Sequence, residues 1–243
     1  MFIDFKNKFI YVRTQKTGSS AIIRFLKKNK QYIDFKQMQI GHEFMCFDNR
    51  DSEFRIKEEY ILKRSKFNNP HAKLFEIARL FEKEEQLYEF KIITSIRNPF
   101  IHAISFYRYQ RFLLYEQRKN NNISLVKYFL SNPLRTITQY FFSFENKFTF
   151  NIFLLFFYKP YTDHFFFRGK NIIDNFIRME YLEDDLQKFF DDQRIDLRVK
   201  TRKSNANGKI NSSGDLKYLY GPWSKRFISK KYKKIIKDFD YDI

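Results

Sequence analysis

The chain has 243 residues, enough for one domain with a sizeable hydrophobic core. Six glycines and five prolines exclude collagen-like or long flexible regions, and the single cysteine, Cys46, excludes an intramolecular disulfide and a cysteine metal cluster. With 46 Lys and Arg against 28 Asp and Glu, the net charge of +18 points to an anionic partner, whether nucleic acid, membrane surface, acidic polymer or nucleotide. Lys, Asn, Ile, Phe and Tyr are enriched together and share AT-rich codons. That discounts both the charge excess and the 32 Phe and 16 Tyr as a nucleic-acid signature.

In chain order, Phe9-Ile10-Tyr11-Val12 reads as a buried strand, and Ala21, Ile22, Phe25 and Leu26 then fall at helical spacing. Lys16-Thr17-Gly18-Ser19-Ser20 therefore sits where a strand hands over to a helix N-terminus. Such a place offers backbone N–H groups and the positive end of the helix dipole to an anion, and Lys16 with the hydroxyls of Thr17, Ser19 and Ser20 adds charge and donors. Taken alone, the five residues also fit an ordinary capped strand–turn–helix. They do not fit the nucleotide-triphosphatase loop G-x-x-x-x-G-K-S/T, because Lys16 precedes Gly18 and no glycine comes earlier.

Tyr32 to Phe35 and Met38 to Phe47 read as short extended segments around Gly41-His42, and Asp48 to Lys66 as a solvated loop with some helix. Asn68-Asn69-Pro70 marks a turn. Leu74, Ile77, Ala78, Leu80 and Phe81 predict an amphipathic helix whose polar end is Glu82 to Glu85. Phe90 to Ile96, rich in β-branched residues, predicts a central strand ending at Arg97-Asn98-Pro99, where Pro99 fits the first turn of a further helix. Strand–helix alternation argues for parallel βαβ units.

Helices are expected over Ser124 to Leu130 and Thr136 to Phe144, and a helix or a strand over Phe148 to Tyr158. That last window is the most apolar in the chain, yet too short to span a bilayer and interrupted by Asn151. Ile172 to Met179 predicts the last sheet strand, Leu186, Phe189 and Phe190 a helix, Lys200 to Gly214 a loop, and Tyr232 to Phe239 a basic helix. Asp4 and Lys6 interrupt any apolar leader, so the expectation is a cytoplasmic protein without a membrane span.

Arg97 and Ser105 form the second informative constellation, at a strand end and in the helix that follows. An arginine fork there can take two phosphate oxygens, and a serine two turns on can add a donor. A capped helix with a surface arginine is the plainer alternative. Together the two stretches resemble the sulfotransferases: Lys16 to Ser20 is similar to their phosphosulfate loop P-K-T-G-S/T-S/T, and Ile96 to Ser105 to V-R-N/D-P-x-x-R-x-x-S. Gln15 replaces the usual proline, and His102 the usual Arg or Lys. The stretches Pro70 to Ile77, Tyr88 to Lys91, Ile177 to Asp185 and Tyr218 to Tyr241 resemble further segments of the carbohydrate-type and bacterial members, with 120–165 unmatched.

The resemblance implies an α/β fold: one domain over 1–243, a three-layer sandwich with a central mostly parallel sheet flanked by helices, P-loop NTPase-like. It implies transfer of a sulfuryl group from 3′-phosphoadenylyl sulfate (PAPS) to a hydroxyl acceptor, a carbohydrate above all, leaving adenosine 3′,5′-bisphosphate, without a metal or a nucleic-acid partner. In that reading Lys16 stabilises the leaving group, Thr17, Gly18, Ser19 and Ser20 hold the 5′-phosphosulfate, and Arg97 with Ser105 holds the 3′-phosphate. His71 is the candidate base, with His42 and then Glu43 as alternatives, while His102 and His164 are structural. The loop Arg202-Lys203-Ser204-Asn205 is either solvated or closes over the nucleotide. The other readings are a P-loop kinase or phosphatase, a basic nucleic-acid-binding protein, and a sulfotransferase that binds without catalysis.

Overall fold

In the computed structural model of the chain, a buried carboxylate makes the first turn. Asp4, fully buried, accepts hydrogen bonds from Asn7 N and Asn7 Nδ2, both at 2.8 Å. That joins β1 (Phe2–Asp4) to β2 (Phe9–Val12) as an antiparallel pair with Ile3 opposite Ile10. The structure describes residues 2–4, 7–29, 36–40, 43–47, 73–79, 81, 83–120, 144–200 and 217–242. They belong to two compact units, Met1–Arg97 with Tyr161–Asn205, and Asn98–Pro160 with Ala206–Ile243.

After β2 come α1 (Ser19–Lys28), β3 (Lys36–Ile40), β4 (Glu43–Phe47), α2 (Leu74–Ala78), β5 (Lys91–Ile96) and α3 (Pro99–Asn120). The later chain holds α4 (Lys147–Phe156), β6 (Phe166–Phe167), β7 (Lys170–Asn171), β8 (Asn175–Arg178), α5 (Leu182–Asp192), α6 (Pro222–Lys231) and α7 (Lys233–Asp238). In the first unit, β2, β5 and β8 run parallel and β1 is added antiparallel at the edge, giving the order β1-β2-β5-β8. Among the described residues the protein is thus α/β, with a mixed four-stranded sheet flanked by helices.

Alternation along β2 explains how both sheet faces are covered. Ile10 and Val12 pack on one face with Leu74, Ile77 and Phe81, the α2 side. Phe9 and Tyr11 pack on the other with Ile22, Leu26, Leu186 and Phe190, from α1 and α5. Phe9 alone meets Phe2, Phe189 and Phe190, with ring centroids at 5.7, 5.5 and 6.2 Å. Each such buried side chain contributes about 1.5–3 kcal/mol of transfer free energy, so the strand is held in place from both sides.

The structure departs from the sequence expectation at α2 and at the C-terminus, and it decides between the alternatives left open for the Phe148 window. The helix expected to run from Leu74 to Phe81 ends at Ala78, and the acidic stretch after it forms a 3-10 turn, Glu84–Glu89. Phe81 is fully buried with its ring 5.3 Å from that of Phe90, which draws the chain off the helical path. Of the helix or strand expected over the window from Phe148, the helix forms, as α4, started by Asn146 Oδ1, which accepts Thr149 N at 3.0 Å. The C-terminal helix expected from Tyr232 is preceded by α6, whose Pro222 occupies the first turn, and the two helices break at Tyr232. Met38 to Phe47 does form an extended pair, β3 and β4, with Met38 opposite Met45. The helices expected over Ser124 to Leu130 and Thr136 to Phe144 and the loop over Lys200 to Gly214 lie outside the described residues, save Phe144 and Lys200 at their ends.

The second unit shows where many of the aromatics go. Tyr107 contacts Phe150 and Phe153 with centroids at 5.3 Å in each case, and its hydroxyl lies 2.6 Å from Thr149 Oγ1. Arg108 and Arg111 both bond Glu145, tying α3 to the start of α4.

Candidate functional site

The turn between β2 and α1 is fastened to the end of β5 by buried hydroxyls. Ser95 Oγ lies 2.7 Å from Tyr11 OH and 2.7 Å from Thr17 Oγ1, while Thr14 Oγ1 lies 2.6 Å from Thr17 Oγ1. The Thr14 hydroxyl also donates to the Ser95 carbonyl at 2.6 Å. All four side chains are fully buried. Burial pushes the Tyr11 phenol far above its ordinary pKa, against hydrogen bonds to Ser95 and Ser19 that pull the other way, so it stays protonated. A satisfied network of this kind fixes one geometry, because a partner lost inside it leaves a desolvated hydroxyl.

That network settles what each residue of the turn can offer. The hydroxyls of Thr17 and Ser19 face the interior, where Ser19 reaches Tyr11. Their contribution to an anion is therefore backbone N–H at the first turn of α1. Ser20 is exposed, and its Oγ accepts from Arg13 Nη2 at 3.2 Å. Gly18 is the N-cap of α1 at φ +81°, the left-handed region that disfavours side chains. A Cβ there would collide with Met179 Sδ and stand 3.2 Å from Leu182 Cδ1. Lys16 also takes a positive φ, 60°, which turns its carbonyl toward Arg97.

Arg97, at the end of β5, donates from Nη1 to that Lys16 carbonyl at 3.4 Å, and its own carbonyl accepts Tyr161 OH at 2.8 Å. Burial lowers the Lys16 pKa, and the nearby Arg97 charge lowers it further. Burial lowers the Arg97 pKa too, partly offset by Glu180. Two partly desolvated cations thus stand together at the helix N-terminus, with Glu180 acting on Arg97.

Caps and ion pairs order the elements that follow in the chain. Asn98 caps α3 by accepting Phe100 N at 2.9 Å, which places Pro99 in the first turn as its spacing predicted. Arg178 grips Asp185 with Nε–Oδ2 at 2.8 Å and Nη2–Oδ1 at 2.7 Å, so β8 and α5 bracket Met179 and Glu180. Thr14, Ser95, Tyr11, Met179 and Glu180 escaped the sequence reading. Hydroxyls inside the apolar run Ile92 to Ile96 were the signal that could have found Ser95.

The structure thus brings Lys16, Thr17, Gly18, Ser19, Ser20 and Arg97 together at one turn. Ser105 lies in α3, in the second unit, and is 9% exposed. His102, also in α3, is buried with Nδ1 2.9 Å from Tyr158 OH, which reaches Tyr232 OH at 2.8 Å. His71, His42 and the Arg202 to Asn205 loop lie outside the described residues, and Glu43 begins β4. Among the described residues no group of three or more His, Cys, Asp or Glu is placed to hold a metal ion, and no helix is long and apolar enough to cross a membrane. No protein-family model matches the chain, and neither does any curated protein or solved structure.

Proposed function

We propose that the chain is a sulfotransferase of P-loop NTPase-like fold, working in the cytoplasm, that takes PAPS as sulfuryl donor and a hydroxyl of a carbohydrate as acceptor. The observation that carries this reading is the pairing of Lys16 with Arg97 at the N-terminus of α1, where burial disfavours each cation and the Arg97 charge disfavours that of Lys16 further. A polyanionic nucleotide relieves both at once. The residue order supports a phosphosulfate over a triphosphate, since Lys16 precedes Gly18 instead of following it.

In this reading the acceptor oxygen attacks sulfur in line, the bond from sulfur to the 5′-phosphate bridge oxygen breaks, and its electron pair stays on that oxygen. Lys16 meets the charge that develops there, and the N–H groups of α1 hold the phosphate. His71 takes the acceptor proton. Arg97 receives the 3′-phosphate.

The test is release of adenosine 3′,5′-bisphosphate from PAPS across a panel of hydroxyl acceptors. Lys16→Ala lowers turnover about 100-fold or more, the usual cost of losing a charge at a developing oxyanion. His71→Ala abolishes turnover while nucleotide binding survives. Turnover untouched by Lys16→Ala overturns the proposal, and turnover untouched by His71→Ala moves the base to His42 or Glu43.

A further inference from the structure

The hydroxyls around the turn before α1 fall into two sets once their protons are counted. Each hydroxyl has one proton to give and lone pairs to accept with. The count starts from the Ser95 carbonyl, which can only accept. It lies 2.6 Å from Thr14 Oγ1, so the Thr14 proton goes there. Thr17 Oγ1, 2.6 Å from Thr14 Oγ1, must then give its own proton to Thr14. By the same step Ser95 Oγ donates to Thr17 Oγ1 at 2.7 Å, and Tyr11 OH donates to Ser95 Oγ at 2.7 Å. That leaves the Tyr11 phenol as the acceptor in its hydrogen bond with Ser19. Ser19, Tyr11, Ser95, Thr17 and Thr14 thus form a one-way chain of donors. Reversing it would press the Thr14 oxygen against a carbonyl oxygen with no proton between them.

Ser20 stands outside that chain. Its Oγ accepts from Arg13 Nη2 at 3.2 Å, and among the described residues nothing accepts its proton. The bond spans the turn, from the residue that follows β2 to the second residue of α1. A hydroxyl that accepts from a guanidinium is polarised, which makes its own proton a stronger donor to an anion.

We propose that Arg13 is a positioning residue of the anion site, acting through Ser20. Arg13 orients and polarises the Ser20 hydroxyl, whose proton goes to the 5′-phosphate group, while Thr17 and Ser19 give their protons inward and serve the anion through backbone N–H alone. The proposal rests on the sulfotransferase reading for the identity of the anion. It adds a residue that the motif from Lys16 to Ser20 does not contain, and it separates Ser20 from the two hydroxyls beside it.

Calorimetric titration of the full chain with adenosine 3′,5′-bisphosphate and with inorganic pyrophosphate tests it, for wild type, Arg13→Met, Ser20→Ala and the double variant. Arg13→Met keeps the aliphatic stem and removes the donor. It and Ser20→Ala each weaken binding of both probes about tenfold, the cost of a hydrogen bond to a charged group. The double variant is weakened by no more than about threefold beyond Ser20→Ala, because the two residues act as one unit. Ser20→Ala costs more affinity than Ser19→Ala. Losses that multiply in the double variant show Arg13 meeting the anion itself and overturn the proposal. Binding unchanged in Arg13→Met overturns it too, and reduces the bond to a tie between strand and helix. So does a loss in Ser19→Ala equal to that in Ser20→Ala, which contradicts the proton count. Pyrophosphate binding with these effects, without bisphosphate binding, upholds the role of Arg13 and rejects the sulfotransferase reading. Binding of neither probe overturns both.

Discussion

Gly18→Ala is the sharpest perturbation of the turn, because two separate costs meet at one Cβ. At φ +81° an alanine pays about 1–2 kcal/mol for the left-handed backbone. The added methyl also collides with Met179 Sδ and crowds Leu182 Cδ1 at 3.2 Å. Met179 is flexible and half-buried, so it moves aside, at the lower end of the overpacking range, about 1 kcal/mol. The sum, about 2–3 kcal/mol, is a large share of the 5–15 kcal/mol typical of a domain. Urea unfolding of wild type, Gly18→Ala, Met179→Ala and the double variant separates the two costs as a double-mutant cycle. Met179→Ala recovers the collision, about 1 kcal/mol, and leaves the backbone cost in place. Full recovery in the double variant, or a loss under about 0.5 kcal/mol for Gly18→Ala, would refute the reasoning.

Other consequences are equally direct. Ser95→Ala destabilises by about 1–3 kcal/mol and more than Tyr11→Phe, because Ser95 Oγ touches Tyr11 OH, Thr17 Oγ1 and, at 3.4 Å, Thr14 Oγ1, whereas Tyr11 OH serves Ser95 and Ser19; unfolding curves that reverse this order contradict the hub role. Lys16→Met is more stable than wild type at neutral pH, by up to about 1 kcal/mol after discounting for solvent screening, since it removes a cation that burial and Arg97 disfavour. The sign follows from linkage: the folded pKa of Lys16 lies below 10.5, so the unfolded chain holds the proton more tightly and wild-type stability rises as pH climbs through the folded value toward 10.5. The advantage of Lys16→Met therefore narrows over that window, and an advantage that widens with pH rejects the assignment. Tyr158→Phe leaves His102 Nδ1 and Tyr232 OH each short of one buried partner and costs about 1–3 kcal/mol in thermal unfolding; a neutral result shows that the relay is not satisfied through Tyr158.

The strands and the turn were legible because their signals are local. Phe9 to Val12 and Phe90 to Ile96 are short apolar runs with clear stops, and parallel pairing follows once helices are placed between them. The positive φ at Gly18 is likewise announced by glycine itself. The inward turn of the Thr17 and Ser19 hydroxyls was not legible, because it depends on Ser95 and Tyr11, which are distant from the turn or lie within a strand that reads as plain core. The early end of α2 escaped for a similar reason, since Phe81 fits a helical face by spacing and is drawn instead toward Phe90. Pro222 after Gly221 was a readable start signal for α6, obscured by the density of lysines that follow. The second phosphate constellation is legible as a motif from Arg97 to Ser105, whereas the passage of the chain from one compact unit to the other between Arg97 and Asn98 leaves no local signal.

The measurement that bears most directly on the central claim is calorimetric titration with adenosine 3′,5′-bisphosphate and with ATP, for wild type, Lys16→Ala and Arg97→Ala. The wild type binds the bisphosphate more tightly than ATP, and each substitution weakens that binding by at least tenfold, equivalent to about 1.4 kcal/mol or more. Absence of bisphosphate binding, or binding that Arg97→Ala leaves unchanged, would contradict the account.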